Sequence, residues 1–520
     1  MKIQRKIHYQ IFTYIILFSI LFSGCKKMLD VTPANKKTRQ EFWAYKEDVE
    51  AAMVGCYNGL QTAMKRFFAW SEVRGEIIQI NTVVPNLTND WLDNQGLFEM
   101  NQQSIDEKNN FAKWNDVYGA INRINTVIKF APVAQKNDET FSIKELNYYI
   151  GECKTLRALC YFYLARTFYQ FPYITVAAES DQQNYQISPI DGKQAMDSII
   201  NDLLSAETLV RKNFDTLANV TDDIKLAYNK GRVSLPVVCA ILTDVYLTNN
   251  QYDKAVAYAN KVDLYGTYQL LPGSQWFTIF SPGNSDEGIF ELQYSSPYNQ
   301  GDFAKWFSNY NGGTNWFGNR FNRNTQTYKY WEGDDYKNIS TFDIRGANAT
   351  YVINSKTTIW KWAGKVVGGD QNNARGGDSW DAHYIFYRYS DILLMKAEAL
   401  NQLGQSDAAA GFLLAIRQRA GYRDKSISYG SKDNLEDMIL DERARELAFE
   451  GKRWFDLVRI AKRRNDYTVI AKRIADFNAT PMDQTAWYAK VSDPLSWYIP
   501  IFYTELELNK YLKQNPFYQQ

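Results

Sequence analysis

The chain has 520 residues with 59 Lys and Arg against 58 Asp and Glu, a formal charge of +1 at pH 7. Lys2, Arg5 and Lys6 fall in the first 24 residues without an acid, so the remainder sits at about −2 and offers none of the concentrated basic surface that nucleic acid binding requires. Two histidines, His8 and His383, leave a histidine metal site or a catalytic triad without its parts, and the unusual feature is the 15% aromatic content with 14 Trp and 36 Tyr.

Residues 2 to 24 have a basic start, an apolar run from Ile11 to Phe22, and then Ser23-Gly24-Cys25. The run is shorter than the ~20 residues that span a bilayer as a helix, which points to a signal sequence over 1–24. The small pair before Cys25 is the pattern read by lipoprotein processing. Cleavage would make Cys25 the first residue, carrying several acyl chains and so a stable membrane anchor.

Helical periodicity begins with Val49, Ala52, Met53, Cys56, Tyr57 and Leu60, which predict a helix over Glu47 to Thr62. Trp114, Val117, Tyr118, Ile121, Ile124 and Ile128 repeat the pattern up to Pro132, the expected stop. A longer helix is predicted from Ile143 to Phe171, with Leu156, Leu159, Cys160, Tyr163, Leu164 and Phe168 as its buried face and Pro172 as terminator. Gln194 to Arg211, Arg232 to Leu247 and Tyr252 to Val262 follow. The small residues and short polar turn of VYLTNNQYDKAVAYANKV have the layout of a tetratricopeptide-like hairpin, which recurs at EALNQLGQSDAAAGF. Such degenerate repeats stack into a curved scaffold. Cys153 and Cys160, seven residues apart on one helix and hence ~10 Å along its axis, are too far for a disulfide; Cys56 and Cys239 could pair with each other or with these, but no spacing favours it, and buried free thiols are the expectation.

Between about Pro272 and Asp381 the helical period disappears and Gly and Asn become dense. Loops this long are functional or disordered, and the aromatic density argues against disorder. Sugar rings dock their C–H faces on indole or phenol while their hydroxyls seek amide, carboxylate and guanidinium groups. NYNGGTNWFGNRFNRNTQ supplies both kinds. The candidate ligand residues here are Trp306, Asn315, Trp316, Asn319, Arg320, Tyr328 and Trp331; the structural alternative is that most such rings pack the insertion onto the helices. TVVPNLTNDWLDNQG is a second loop of the same character, with Asn89, Asp90 and Trp91. WEGDDYKN, with Glu332, Asp334 and Asp335, is the acidic cluster of the region. A glycoside hydrolase would need two carboxylates about 5 to 10 Å apart across a cleft, and solvated turn residues or hydroxyl acceptors are the simpler reading. No phosphate loop, metal-spaced cysteine pair or Gly-x-Ser-x-Gly elbow is present, so no cofactor, metal or catalytic residue is assigned.

Beyond the insertion, His383 beside a helix start is expected to be structural. Ile385, Tyr389, Ile392, Leu393, Lys396, Ala399, Leu400 and Leu403 predict one buried helix ending at Gly404, followed by a helix from Ser406 to Ala420. Leu435, Met438, Ile439, Ala444, Leu447 and Ala448 form a further apolar stripe. Glu442, Arg443, Arg445, Glu446, Glu450, Lys452 and Arg453 read as a helix charge network beside it, and Gly451 is expected to break that helix in two.

The string Arg388, Ser390-Asp391, Leu393-Leu394, Ala397-Glu398-Ala399, then Glu442-Arg443, Glu446-Leu447, Phe449-Glu450-Gly451, Arg453 and Phe455-Asp456-Leu457, resembles the C-terminal half of the SusD/RagB family. These are lipid-anchored, all-helical nutrient-binding proteins of the outer membrane in Bacteroidetes-type bacteria. The ending Leu512 to Tyr518, LKQNPFY, is similar to the family ending, with Phe517 where Gly is usual. CKKMLDVTP after the cleavage site resembles the family's opening. Arg157-Ala158, Tyr161-Phe162, Leu164 and Phe168 to Pro172 resemble a third motif, with Tyr169 in place of Gly. The resemblance spans nearly the whole chain. It implies an all-α domain over 25–520, with a tetratricopeptide-like scaffold at 40–271 and 382–520 and a loop-rich, aromatic-rich insertion at 272–381. It further implies an outer-membrane lipoprotein facing the cell exterior that binds glycan without breaking a bond and passes it to a SusC-like TonB-dependent transporter. Binding of peptides or another nutrient on the same scaffold is the alternative.

Overall fold

The computed structural model describes residues 39–80, 89–180, 186–307, 317–319, 343–346, 348–352, 358–377, 379–423, 425–475 and 481–519. The leader, Cys25, Asn315, Trp316, Arg320, Tyr328, Trp331 and the acidic cluster at Glu332, Asp334 and Asp335 lie outside them.

Helix α1 (Lys46–Phe68) runs on through a π-helical turn, Ala69–Val73, into strand β1 (Ile78–Ile80). Helix α2 (Asn89–Asn101) precedes α3 (Asn115–Asn137) and α4 (Ile143–Thr167). Pro132 does not end α3 as expected: the last turn continues past it because Ala131 and Ala134 are fully buried, and packing holds what the missing N–H weakens. Conversely, α4 stops earlier than predicted. Phe168 leaves the helical region with an extended backbone and bridges to Ile499, and Gln170–Pro172 becomes strand β2, paired with β3 (Pro189–Asp191).

Helices α5 (Gly192–Glu207), α6 (Asp222–Gly231), α7 (Leu235–Thr248) and α8 (Tyr252–Tyr265) complete the first half. Periodicity misses α6, which buries only Lys230 and Gly231 at its end and so leaves no apolar stripe. Helix α7 is apolar on all sides because it is buried on all sides, from Leu235 to Leu247.

The second half opens on a strand. Residues Tyr384–Arg388 were predicted to begin a helix but form β6, antiparallel to β4 (Gly288–Leu292), with every residue of both strands buried. A run of aromatic and β-branched residues enclosed on both faces favours extended backbone. Helix α9 (Tyr389–Gln402) starts directly behind it, ends with Gly404 at φ 78°, and forms the expected hairpin with α10 (Ser406–Arg419). Helices α11 (Lys432–Glu446) and α12 (Arg453–Arg464) are separated as predicted, through Phe449 at φ 65° and Gly451 at φ 70°. Helices α13 (Thr468–Ala475), α14 (Pro481–Val491) and α15 (Tyr503–Leu508) close the chain. The protein is an all-α helical repeat scaffold with short strand pairs between its helices.

Three acids of the predicted charge network do not lie along a helix surface. Glu442, Glu446 and Glu450 are buried and meet cations from across the chain. Arg388 reaches Glu287 at 2.6 Å, Glu446 at 2.5 Å and Glu450 at 2.7 Å, while Arg345 binds Glu442 at 2.7 Å and Glu446 at 2.8 Å. Arg419 bridges Glu287 and Glu446, and Lys361 binds Glu450. Burial alone would raise the Glu442 carboxyl, but Arg445, Arg345 and Arg417 hold it well below the carboxylate range. Charges this deep are tolerable only when each meets a partner. Here the partners tie the insertion (Arg345, Lys361) to strand β6 and to α10 and α11.

His383 is buried between Glu291, at 3.0 Å, and the carbonyl of Tyr294, at 3.1 Å, a structural role as expected. The four described cysteines are buried free thiols.

Candidate functional site

The two aromatic-polar loops stand 230 residues apart in the chain, and a short sheet joins them. Strand β1 pairs antiparallel with β5 (Phe317–Asn319) in the register Ile78 to Asn319, Gln79 to Gly318 and Ile80 to Phe317. Ile78 and Ile80 point inward and Gln79 outward, the period of a half-buried strand. The first loop leaves from Ile80, beside the point where the second enters at Phe317. Asn319 lies in β5 opposite Ile78, and Trp316 and Arg320 are the residues that flank β5 in the sequence. Asn89, Asp90 and Trp91 are not in a loop but form the start of α2. The helix takes over there because Leu97 and Met100 can bury completely against the turn before β1.

Trp306 is a correction. The 3-10 turn Asp302–Phe307 tucks it against the end of α1, 2% exposed, with its ring centroid 6.4 Å from Phe68 and the Lys65 ammonium 5.5 Å over its face. It serves the core and presents no open face. Trp276, Trp360, Trp362 and Trp380 of the insertion are buried as well, the indole N–H groups of Trp360 and Trp362 donating to the carbonyls of Val366 and Phe449. Tyr298 is the opposite case at 94% exposed, on a turn closed by mutual backbone hydrogen bonds between Ser295 and Asn299.

The base of the β1–β5 pair is rigidly held. Glu72, in the π-helical turn, accepts hydrogen bonds from the amides of Phe449, Lys452 and Arg453 at 2.8, 2.9 and 3.2 Å. Burial pushes its carboxyl up to about 7 against those donors. Arg453 donates to Glu76 at 2.9 Å. Arg74 donates to the carbonyls of Trp497 and Ser496 at 2.7 and 2.8 Å and stacks on Trp454 at 4.0 Å; burial lowers its guanidinium to about 10. Asn101 donates to the carbonyls of Val73 and Ile78 at 2.8 and 3.3 Å, fixing α2 against β1.

Sequence reading missed Asn94. Seven residues before Asn101, it lies on the same face of α2 and ~10 Å further along the axis, toward the loop end of the helix. It is 7% exposed, and its Oδ1 has no hydrogen-bond partner. A buried carboxamide without a partner is costly to keep in an apo protein and calls for a ligand group or water. The sequence signal was its i+3 and i+4 spacing from Trp91 and Asp90, which becomes readable once the segment is known to be helical.

An apolar cleft of about 480 Å³ lies elsewhere, between α3, the segment from Pro172 to Ala178, Ile187 and α15, and none of the predicted ligand residues lines it. Among the described residues no group of three or more His, Cys, Asp or Glu is placed to hold a metal ion.

This architecture, an all-α helical repeat scaffold, defines the class. Residues 238–518 match the model of the SusD family, and residues 27–228 match a model described as starch-binding and associating with the outer membrane. The chain belongs to the SusD family. It is 26% identical to SusD-like protein P38 of Formosa agariphila, over 86% of this chain and 91% of that protein, and 25% identical to SusD-like protein P2 of the same organism, over 86% and 90%. Among solved structures, a SusD homolog from Bacteroides thetaiotaomicron superposes with a TM-score of 0.72 at 20% identity, covering 92% of this chain and 99% of that one. A laminarin-binding SusD-like protein superposes at 0.63 with 21% identity, covering 91% and 99%. These structures share the fold.

Proposed function

We propose that this protein is a cell-surface lipoprotein, anchored through Cys25, that binds glycan without cleaving it and delivers it to a SusC-like TonB-dependent transporter of the outer membrane. The observation that supports the site is the β1–β5 pair, which brings the strand leading toward Asn89, Asp90 and Trp91 beside the strand that Trp316 and Arg320 flank in the sequence. Trp91, Trp316 and Trp331 would supply faces for sugar rings, and Asn89, Asp90, Asn94, Asn315, Asn319, Arg320 and Tyr328 the hydrogen-bonding groups. A helical scaffold with a firmly held β1–β5 base suits capture and handover, since that base needs no ordering on binding. The family descriptions and the laminarin-binding neighbour support this ligand class and location.

The test is calorimetric titration of the chain from residue 26 with laminarin and a panel of neutral and acidic polysaccharides, alongside peptide digests. Saturable binding to one glycan, without release of reducing ends, is the expected result. Binding to peptides alone would replace the glycan, and reducing-end release abolished by Glu332→Ala would make the protein a hydrolase.

A further inference from the structure

A second polar cleft, about 390 Å³, opens where the end of α4, the first turn of α5, the end of α7 and the middle of α12 meet, and it includes none of the residues of the two loops. Arg166 occupies its wall. The guanidinium lies between two rings, 3.6 Å from the centroid of Phe162 and 4.2 Å from that of Phe455, so its plane is fixed by their faces. Its side chain is only 11% exposed, yet it is thinly bonded: Nη1 reaches Asp244 at 3.3 Å, Nε reaches the carbonyl of Phe162 at 3.4 Å, and Nη2 has no acceptor among the described residues. Asp244 is itself engaged by the Tyr387 hydroxyl at 2.9 Å and by Thr248.

Two exposed lysines stand at the mouth. Lys462 donates to the Tyr498 hydroxyl at 2.8 Å, and Lys193 meets no acceptor among the described residues. The rings of Tyr169 and Tyr498 meet edge to face at 5.8 Å and line the same space. Two charges on the lining are already committed. Arg459 is bound to Glu398 and Asp456, and the Asp191 carboxylate accepts the amide of Gln194. What remains open is a flat guanidinium edge, two ammonium groups and phenol walls. A guanidinium fork held in a fixed plane prefers a planar or tetrahedral oxyanion, and the charge-assisted bond is stronger than a neutral one.

We propose that this cleft binds an oxyanion, a carboxylate or a sulfate, carried on a molecule of about monosaccharide size, with Arg166 as the anchor and Lys193 and Lys462 closing over it. The site is independent of the glycan platform, and an acidic ligand would reach it from the solvent side of α5 and α12.

The experiment titrates the full-length protein with sodium glucuronate and with sodium sulfate at constant ionic strength, with sodium chloride and glucose as references, by calorimetry and thermal melting. The proposal expects saturable binding of at least one oxyanion, weakened roughly tenfold or more in the Lys193→Glu/Lys462→Glu double variant. Both changes lie on exposed side chains, so melting in chloride and polysaccharide binding at the loops should stay as in the wild type. Arg166→Met is the second variant and should remove binding altogether. Glucuronate alone assigns a carboxylate ligand, and sulfate alone a sulfate ester or free sulfate. No saturable binding of either anion, equal binding of glucose, or unchanged affinity in the double variant would each overturn the proposal.

Discussion

At the scale of single residues, Asn94 and Trp306 divide what the loops suggested from what the fold allows. Trp306 carried the composition of a ligand residue and turned out to seal the end of α1, because a ring followed directly by Phe307 gains more from packing on Phe68 than from solvent. Asn94 looked like one polar residue among many. Its buried, unpartnered Oδ1 makes it the better ligand candidate. Asn94→Leu removes that orphan acceptor at similar volume. It should therefore leave the melting temperature unchanged or raise it, by an amount equivalent to ~1–3 kcal/mol at most, while weakening glycan binding. Thermal melting and calorimetry on the same preparation check both halves. A lower melting temperature would mean that the amide serves the core.

At the scale of elements, most of the helices were legible because their buried faces repeat at helical spacing, and the hairpins and the break at Gly451 followed from turn chemistry. The strands were not. Three-residue segments such as Ile78–Ile80 and Phe317–Asn319 are too short to show a period, and their pairing is set by tertiary packing between segments far apart in the chain. Tyr384–Arg388 misled for a related reason: a fully buried run carries no alternation to separate strand from helix. Helix packing leaves a sharper trace in Gly59 of α1, where an added Cβ would sit 3.0 Å from the backbone of Ala120 in α3. Backbone cannot swing aside as a side chain can. Gly59→Val should therefore push the two helices apart and destabilise by about 1–3 kcal/mol in urea unfolding, whereas substitution at Gly55, with nothing within 4 Å, should have little effect beyond helix propensity.

At the scale of the whole molecule, buried acids paired with cations tie the chain together, among them Glu442, which sequence spacing placed in a helix charge network. Glu442 and Glu398 lie well below the carboxylate range: burial opposes their charge, and the surrounding arginines outweigh it. Asp391, under the same opposition, is held at about 2 by Lys452 and Arg443. Groups whose folded pKa is depressed stabilise the protein above their unfolded pKa, and that contribution disappears as pH falls through the folded value. Denaturant midpoints should thus hold down to about pH 4 and drop steeply toward pH 2, the window set by Asp391. Glu72 works in the opposite sense: its raised pKa favours the fold at acid pH, and that contribution is lost as pH rises from the ordinary carboxylate range to about 7. A midpoint insensitive to acid would contradict the buried network.

The proposed platform joins Trp91, at the start of α2, to Trp316, beside β5 in the sequence, and a double-mutant cycle between the two tests it. Titrating the wild type, Trp91→Ala, Trp316→Ala and the double variant with the polysaccharide bound by the wild type should show each single change weakening affinity by roughly tenfold or more, and the pair losing less than the sum, as expected of rings sharing one ligand. Full affinity in either single variant, with its fold intact, would contradict a site shared by the two residues.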